Sequence, residues 1–152
     1  MKVVIGVGHP YRRDDGLGPY VVERLRERGG LPGVRLVTSQ GETSELLDLW
    51  DGADLAVVVD AIRAAPGHPG RVHRLTVLDP PAERSRAAHG LDLGEAVELA
   101  RVLGRLPARL VLYAVEAADV GYGIGLSPEV AAAAVRVSDE IAGELTADSA
   151  TP

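Results

Sequence analysis

The sequence predicts an α/β fold, a three-layer α/β/α sandwich around a five-stranded, mostly parallel sheet, and three observations carry that expectation. Short apolar runs alternate with amphipathic helical patterns along the chain. The interior run Leu55 to Val59 is apolar at every position, as strands covered by helices on both faces are. The opening strand passes through a glycine-flanked loop directly into a helix, an arrangement found at the ligand-binding carboxyl ends of open α/β sheets.

The elements follow in order. Lys2 to Val7 reads as the first strand. Pro19 at an early helical position, with Leu17, Val21, Val22 and Leu25 on one face, marks the first helix, and Gly29-Gly30 ends it. Val34 to Thr38 is the second strand. Thr43 or Ser44 is placed to cap a short helix that runs through Trp50 and turns Leu46, Leu47 and Trp50 inward. The third strand, Leu55 to Val59, stops at Asp60. A loop rich in Pro and Gly covers 63–70, and Val72 to Leu78 forms a more polar, edge-like strand. After a polar loop reaching His89, Leu93, Ala96, Val97, Ala100 and Leu103 recur at helical spacing. Leu110 to Val115 is the fifth strand, Gly121 to Gly125 a glycine-rich loop, and Ser127-Pro128-Glu129 a helix start. The last helix buries Val130, Val137, Ile141 and Leu145, and residues 147–152 are expected to form a tail without structure behind a single domain, 1–146.

Right-handed crossovers place strand one between strands two and three, so a switch point falls between strands one and three. The loop carrying Asp15 and the end of the strand carrying Asp60 then emerge on either side of one crevice.

Composition narrows the chemistry. With 152 residues the chain suits one domain, and with aromatics at only 3% its core is aliphatic. A net charge of -6 with scattered arginines disfavours nucleic acid as a partner. The absence of cysteine excludes thiol nucleophiles, disulfides and thiolate metal sites. No run reaches membrane-spanning length and no signal-peptide pattern opens the chain, so a cytoplasmic monomer that engages no membrane is expected.

The adjacent carboxylates Asp14 and Asp15 repel each other in a low dielectric unless a cation or backbone donors intervene. Asp14 is read as structural, capping the following helix, and Asp15 as functional. Asp60 has a bland alternative as a strand-end carboxylate, which its place at the crevice outweighs. His89 alone reads as a surface or capping histidine. His9 lies near the crevice, whereas His68 and His73 flank the edge strand and are expected to be exposed. Arg12 and Arg13 read as a solvated loop tip that can also steer an acidic partner. Tyr11 stands where a dinucleotide fingerprint needs its third glycine, and no phosphate-binding P-loop, zincin helix or nucleophile elbow occurs. Oxygen and imidazole donors of this kind suit nickel, zinc or manganese.

These residues carry a resemblance. Gly6-Val7-Gly8 through Asp14-Asp15-Gly16-Leu17-Gly18, Val59-Asp60-Ala61, His89-Gly90-Leu91 and Ile124-Gly125-Leu126-Ser127-Pro128 resemble the motifs of the hydrogenase maturation endopeptidases, in order from Lys2 to about Leu145. The resemblance implies a protease that removes the C-terminal extension of a nickel-iron hydrogenase large-subunit precursor once nickel is in place. It also implies a five-stranded mixed sheet of the phosphorylase/hydrolase-like kind with an antiparallel edge strand. Asp15, Asp60 and His89 match the family's metal-binding positions, so catalytic and metal roles at all three are implied, with nickel supplied by the substrate and absent from the free enzyme. The chain departs from the family's pattern at His9, where asparagine is frequent, and in the less glycine-rich loop Gln40-Gly41-Glu42-Thr43-Ser44. Two other readings use the same residues: a non-catalytic nickel-responsive binding module or carrier, and a broad metallopeptidase with a permanent metal.

Overall fold

A computed structural model describes residues 1–76 and 93–150. Five strands, β1 (Lys2–Val7), β2 (Val34–Ser39), β3 (Leu55–Ile62), β4 (Val72–Thr76) and β5 (Arg109–Glu116), form one sheet in the order β2-β1-β3-β5-β4. β4 is antiparallel to β5, and the other pairs are parallel. The expected placement of β1 between β2 and β3 holds, as does the antiparallel edge. Among the described residues four helices, α1 (Leu17–Arg28), α2 (Thr43–Trp50), α3 (Leu93–Leu103) and α4 (Pro128–Ala150), cover the sheet.

Alternation along the strands sorts the core into two layers. Val3, Ile5, Ala56, Val58, Leu110 and Leu112 face α2 and α3, where Leu46, Trp50, Leu93 and Val97 are buried. Val4, Val57, Val59, Val111 and Tyr113 face α1 and α4, meeting Leu17, Val21, Val137 and Ile141. The sandwich is thus three-layered.

Three expectations are corrected, and a fourth lies partly outside the described residues. β3 does not stop before Asp60 but continues through it to Ile62, because β5 keeps pairing as far as Ile62↔Glu116. Thr43 and Ser44 lie inside the first turn of α2; Glu42 occupies the cap position and makes no side-chain cap. β4 is described to Thr76, with the expected final residues 77–78 outside the described residues. The tail expected from residue 147 is helical as far as Ala150, continuing α4 through Ala147, Asp148 and Ser149.

The seating of α1 explains two glycines of the first motif. A Cβ on Gly18 would lie 2.5 Å from both Val7 N and Val7 O and 2.7 Å from Val59 O, while one on Gly6 would lie 2.2 Å from Gly18 O. Helix and sheet backbones therefore touch here, fixing where the loop before α1 leaves the sheet. Gly18→Ala is expected to lose about 3 kcal/mol through forced displacement of α1. Chemical denaturation measures this, and an unchanged midpoint would refute the contact's importance.

Candidate functional site

The site is built on the step in the sheet at the switch point. β1 pairs with β3 only as far as Gly6↔Val59, whereas β5 pairs with β3 through Asp60↔Ala114 and beyond. Asp60 thus sits within a strand held by β5 just where β1 turns away. It shares the face of Val58 and Ile62 and is buried, with 7% of its surface exposed.

The loop after β1 folds into a 3-10 turn, Arg13–Gly16, before α1 begins. Within it Asp15 points back, and its Oδ2 accepts a hydrogen bond of 2.8 Å from the His9 N–H. That return is possible because Gly8 lies at φ 138°, with no room for a side chain: a Cβ there would stand 1.9 Å from Asp15 O. Asp15 and Asp60 both line a cavity of about 310 Å³, together with His9, Arg12, Gln40 and Leu93. The structure therefore brings together two of the three predicted site residues. The third, His89, lies outside the described residues. Among the described residues no three His, Asp or Glu side chains are grouped so as to hold a metal ion. The paired carboxylates fit part of a shell of hard oxygen donors, with positions left for other ligands.

His9 is positioned by its backbone as the donor to Asp15, and its Nδ1 accepts from the Tyr11 N–H at 3.3 Å. The neighbouring loop is held by Ser39, whose carbonyl accepts from the Gly8 N–H at 3.0 Å and whose hydroxyl accepts from the Gly41 N–H at 3.0 Å. The same hydroxyl donates to Glu45. Ser39 thereby ties the Gln40-Gly41 wall of the cavity to the β1 loop. Nothing in the sequence marked Ser39, because its role depends on the parallel pairing Val7↔Ser39.

Asp14 is structural as expected, but it does not cap α1, which starts without a side-chain cap at Gly16. It is fully buried and reaches across the molecule. Its Oδ2 accepts from Ala118 N–H at 2.8 Å, Asp119 N–H at 2.9 Å and the Ser127 hydroxyl at 2.7 Å, while Oδ1 accepts from Ser127 N–H at 2.7 Å. Burial raises the cost of its charge. The bonds from Ser127, Asp119 and Ala118 outweigh that cost and hold the carboxyl below its ordinary value of 3.8. One carboxylate thus pins the first loop to the loop after β5 and to the entry of α4.

Another buried carboxylate, Glu116, ends β5. It accepts from His68 N–H at 2.9 Å and lies 2.8 Å from His73 Nε2, with Arg71 nearby at 3.9 Å. The His68 amide bond, working against burial and joined by His73 and Arg71, holds its carboxyl below the usual 4.5. His73, expected to be simply exposed, is instead a partly covered partner that closes the antiparallel edge. Sequence reading missed Glu116 because its partners come from another strand and loop.

Comparison with known proteins agrees with this architecture. The family model described as HycI, hydrogenase maturation protease, matches residues 19–144. The hydrogenase 2 maturation protease of Escherichia coli strain K12 is 30% identical over 133 residues, covering 86% of this chain and 81% of that protein. The solved structure of the E. coli hydrogenase maturating endopeptidase HybD superposes with a TM-score of 0.79 at 28% identity, covering 97% of this chain and 93% of its own. The [NiFe] hydrogenase maturation protease HycI of Thermococcus kodakarensis KOD1 gives a TM-score of 0.68 at 26% identity, covering 95% and 92%. A sheet of this order, with a carboxylate-lined crevice at its switch point and matches over nearly its full length, places the chain in the hydrogenase maturation protease family, whose members are endopeptidases.

Proposed function

We propose that this protease removes the C-terminal extension of a nickel-loaded large-subunit precursor of a nickel-iron hydrogenase, and that Asp15 and Asp60 take hold of the nickel the precursor carries. The observation that supports this reading is the convergence of these two carboxylates, 45 positions apart in sequence, on one cavity at the switch point. His89 is proposed as the third ligand, on its match to the family motif. Nickel bound by the precursor belongs to the substrate in this reading. It supplies a Lewis-acidic centre that orients the peptide chain.

The chain's own residues do the remaining work. The His9 N–H fixes one oxygen of Asp15, and in this reading the other oxygen takes the ligand. β5 holds Asp60 rigidly from the strand side. Two carboxylates supply only part of a ligand shell, and in this reading the precursor's own ligands complete it, which distinguishes a loaded precursor from an empty one. Among the described residues no helix is long and apolar enough to cross a membrane.

The test is incubation of the purified protein with large-subunit precursor prepared with and without nickel. The expected result is cleavage of the nickel-loaded form alone, by a protein that holds no stoichiometric metal and keeps its melting temperature in chelator. Tightly bound stoichiometric zinc would instead establish a permanent-metal peptidase. Nickel transfer without cleavage would establish a carrier.

A further inference from the structure

Two loops distant in sequence are joined at the mouth of the cavity. The Gly123 N–H donates to Tyr11 O at 2.9 Å and the Arg13 N–H to Gly123 O at 3.0 Å, a parallel bridge between Arg12 and Gly123. The Asp14 N–H adds a bond to Asp119 O at 2.9 Å, and the four bonds to the Asp14 carboxylate lie directly beneath. This junction is therefore a preformed, rigid surface.

It nevertheless displays what rigid surfaces of monomers ordinarily cover. Tyr122 is 89% exposed, Ile124 78% and Tyr11 61%. Single exposed apolar side chains are commonplace, but a cluster of them on one braced junction beside a ligand cavity marks an interaction site. The cluster is also cationic. Arg13 is paired with Asp119, at 3.6 Å, whereas Arg12 meets a backbone carbonyl and an aromatic ring and no carboxylate among the described residues. The Arg12 Nε donates to Val120 O at 3.2 Å and its guanidinium stands 5.9 Å from the Tyr122 ring centre, which fixes the fork in place. Its remaining N–H groups are available, and Arg12 itself lines the cavity that holds Asp15 and Asp60. A held guanidinium next to exposed aromatic and aliphatic side chains is the composition of a binding hot spot, with a bidentate preference for carboxylate.

We propose that Tyr11, Arg12, Tyr122 and Ile124 form the docking rim for the precursor segment flanking the scissile bond, with Arg12 binding a carboxylate of that segment and Tyr122 and Ile124 covering its apolar neighbour. The proposal rests on the substrate reading above. Continuity of the rim with the cavity selects this occupant over a second copy of the chain, because a dimer seated here would close the mouth to any peptide. A further exposed apolar side chain among the described residues, Val102 on α3 at 80% exposed, does not line the cavity.

Steady-state cleavage of nickel-loaded precursor separates the possibilities. Arg12→Gln and the double variant Tyr122→Ala/Ile124→Ser are expected to raise KM about tenfold or more with kcat nearly unchanged, as loss of substrate binding does. Their melting temperatures should match wild type because the altered side chains are exposed. Val102→Ser should leave KM unchanged. Replacing each acidic residue flanking the scissile bond by its amide should reveal one position that weakens binding to wild type yet has no further effect with Arg12→Gln. Unchanged KM in the rim variants, an equal rise with Val102→Ser, or no acidic position coupled to Arg12 would overturn the rim while leaving the protease reading intact. A wild-type protein that cleaves no nickel-loaded precursor would overturn both.

Discussion

Asp60→Asn is expected to eliminate precursor cleavage while leaving the fold intact. The substitution keeps the size and shape of a side chain that is buried inside β3, so packing against β5 is preserved. What disappears is one of the two negative charges that line the cavity with Asp15. The same charge, if it holds the nickel of the precursor, is worth about 4 kcal/mol in the reaction, or about a thousandfold in rate. Activity is therefore lost while the fold is kept, a pattern expected of a functional carboxylate and not of a structural one. Asp15→Asn should share the loss of activity, with its retained carbonyl oxygen still able to accept from the His9 N–H. Near-normal cleavage by the Asp60→Asn protein, or a lowered melting temperature with intact activity, would remove Asp60 from the site.

The neighbouring residue should behave in the opposite sense. Asp14→Ala strands the donors at Ala118, Asp119 and Ser127 in a buried place and is expected to cost about 3–5 kcal/mol, a large share of a typical domain's total stability. Thermal unfolding should report a fall of about 8–16 °C. A pH dependence follows from the same bonds. The Asp14 carboxyl titrates below 3.8 in the folded protein, so its contribution is fully present above about pH 4 and is lost as pH falls through the lower folded value. Asp14→Asn should remove this part of the acid limb, flattening stability against pH below 4 relative to wild type. Glu116, also held below its ordinary value, contributes a second part of that limb, which should persist in the Asp14 variants. An Asp14→Ala protein that melts within about 2 °C of wild type would show that the cross-loop bonds carry little stability.

These two adjacent aspartates show how far sequence reading reached. The sequence by itself determined the layer architecture, because burial on both faces leaves apolar runs in β3 and β5, and one-sided burial leaves helical periodicity in α1, α3 and α4. The place of β1 between β2 and β3 followed from the handedness of crossovers, a local chiral preference that acts on any βαβ unit. The convergence of Asp15 and Asp60 could be expected for the same reason, since topology alone carries both to one switch point. The division of labour between a structural Asp14 and a site-facing Asp15 was also legible, as two carboxylates side by side cannot both be buried without separate partners.

Only the tertiary structure decided who those partners are. Asp14 serves Ala118, Asp119 and Ser127, more than 100 residues away, instead of the helix that follows it. Asp60 lies inside β3 because β5 outlasts β1 as its neighbour, and strand length depends on the partner as much as on the strand's own residues. Ser39, Glu116 and the braced rim at Arg12 and Gly123 have no local signature at all. Hydrogen bonds between distant segments are matched donor by acceptor in three dimensions, and a polar residue written in sequence carries no mark of which distant amide it will meet. Hydrophobic periodicity is a sum over many weak, interchangeable contacts and survives in the sequence; a single directional bond does not.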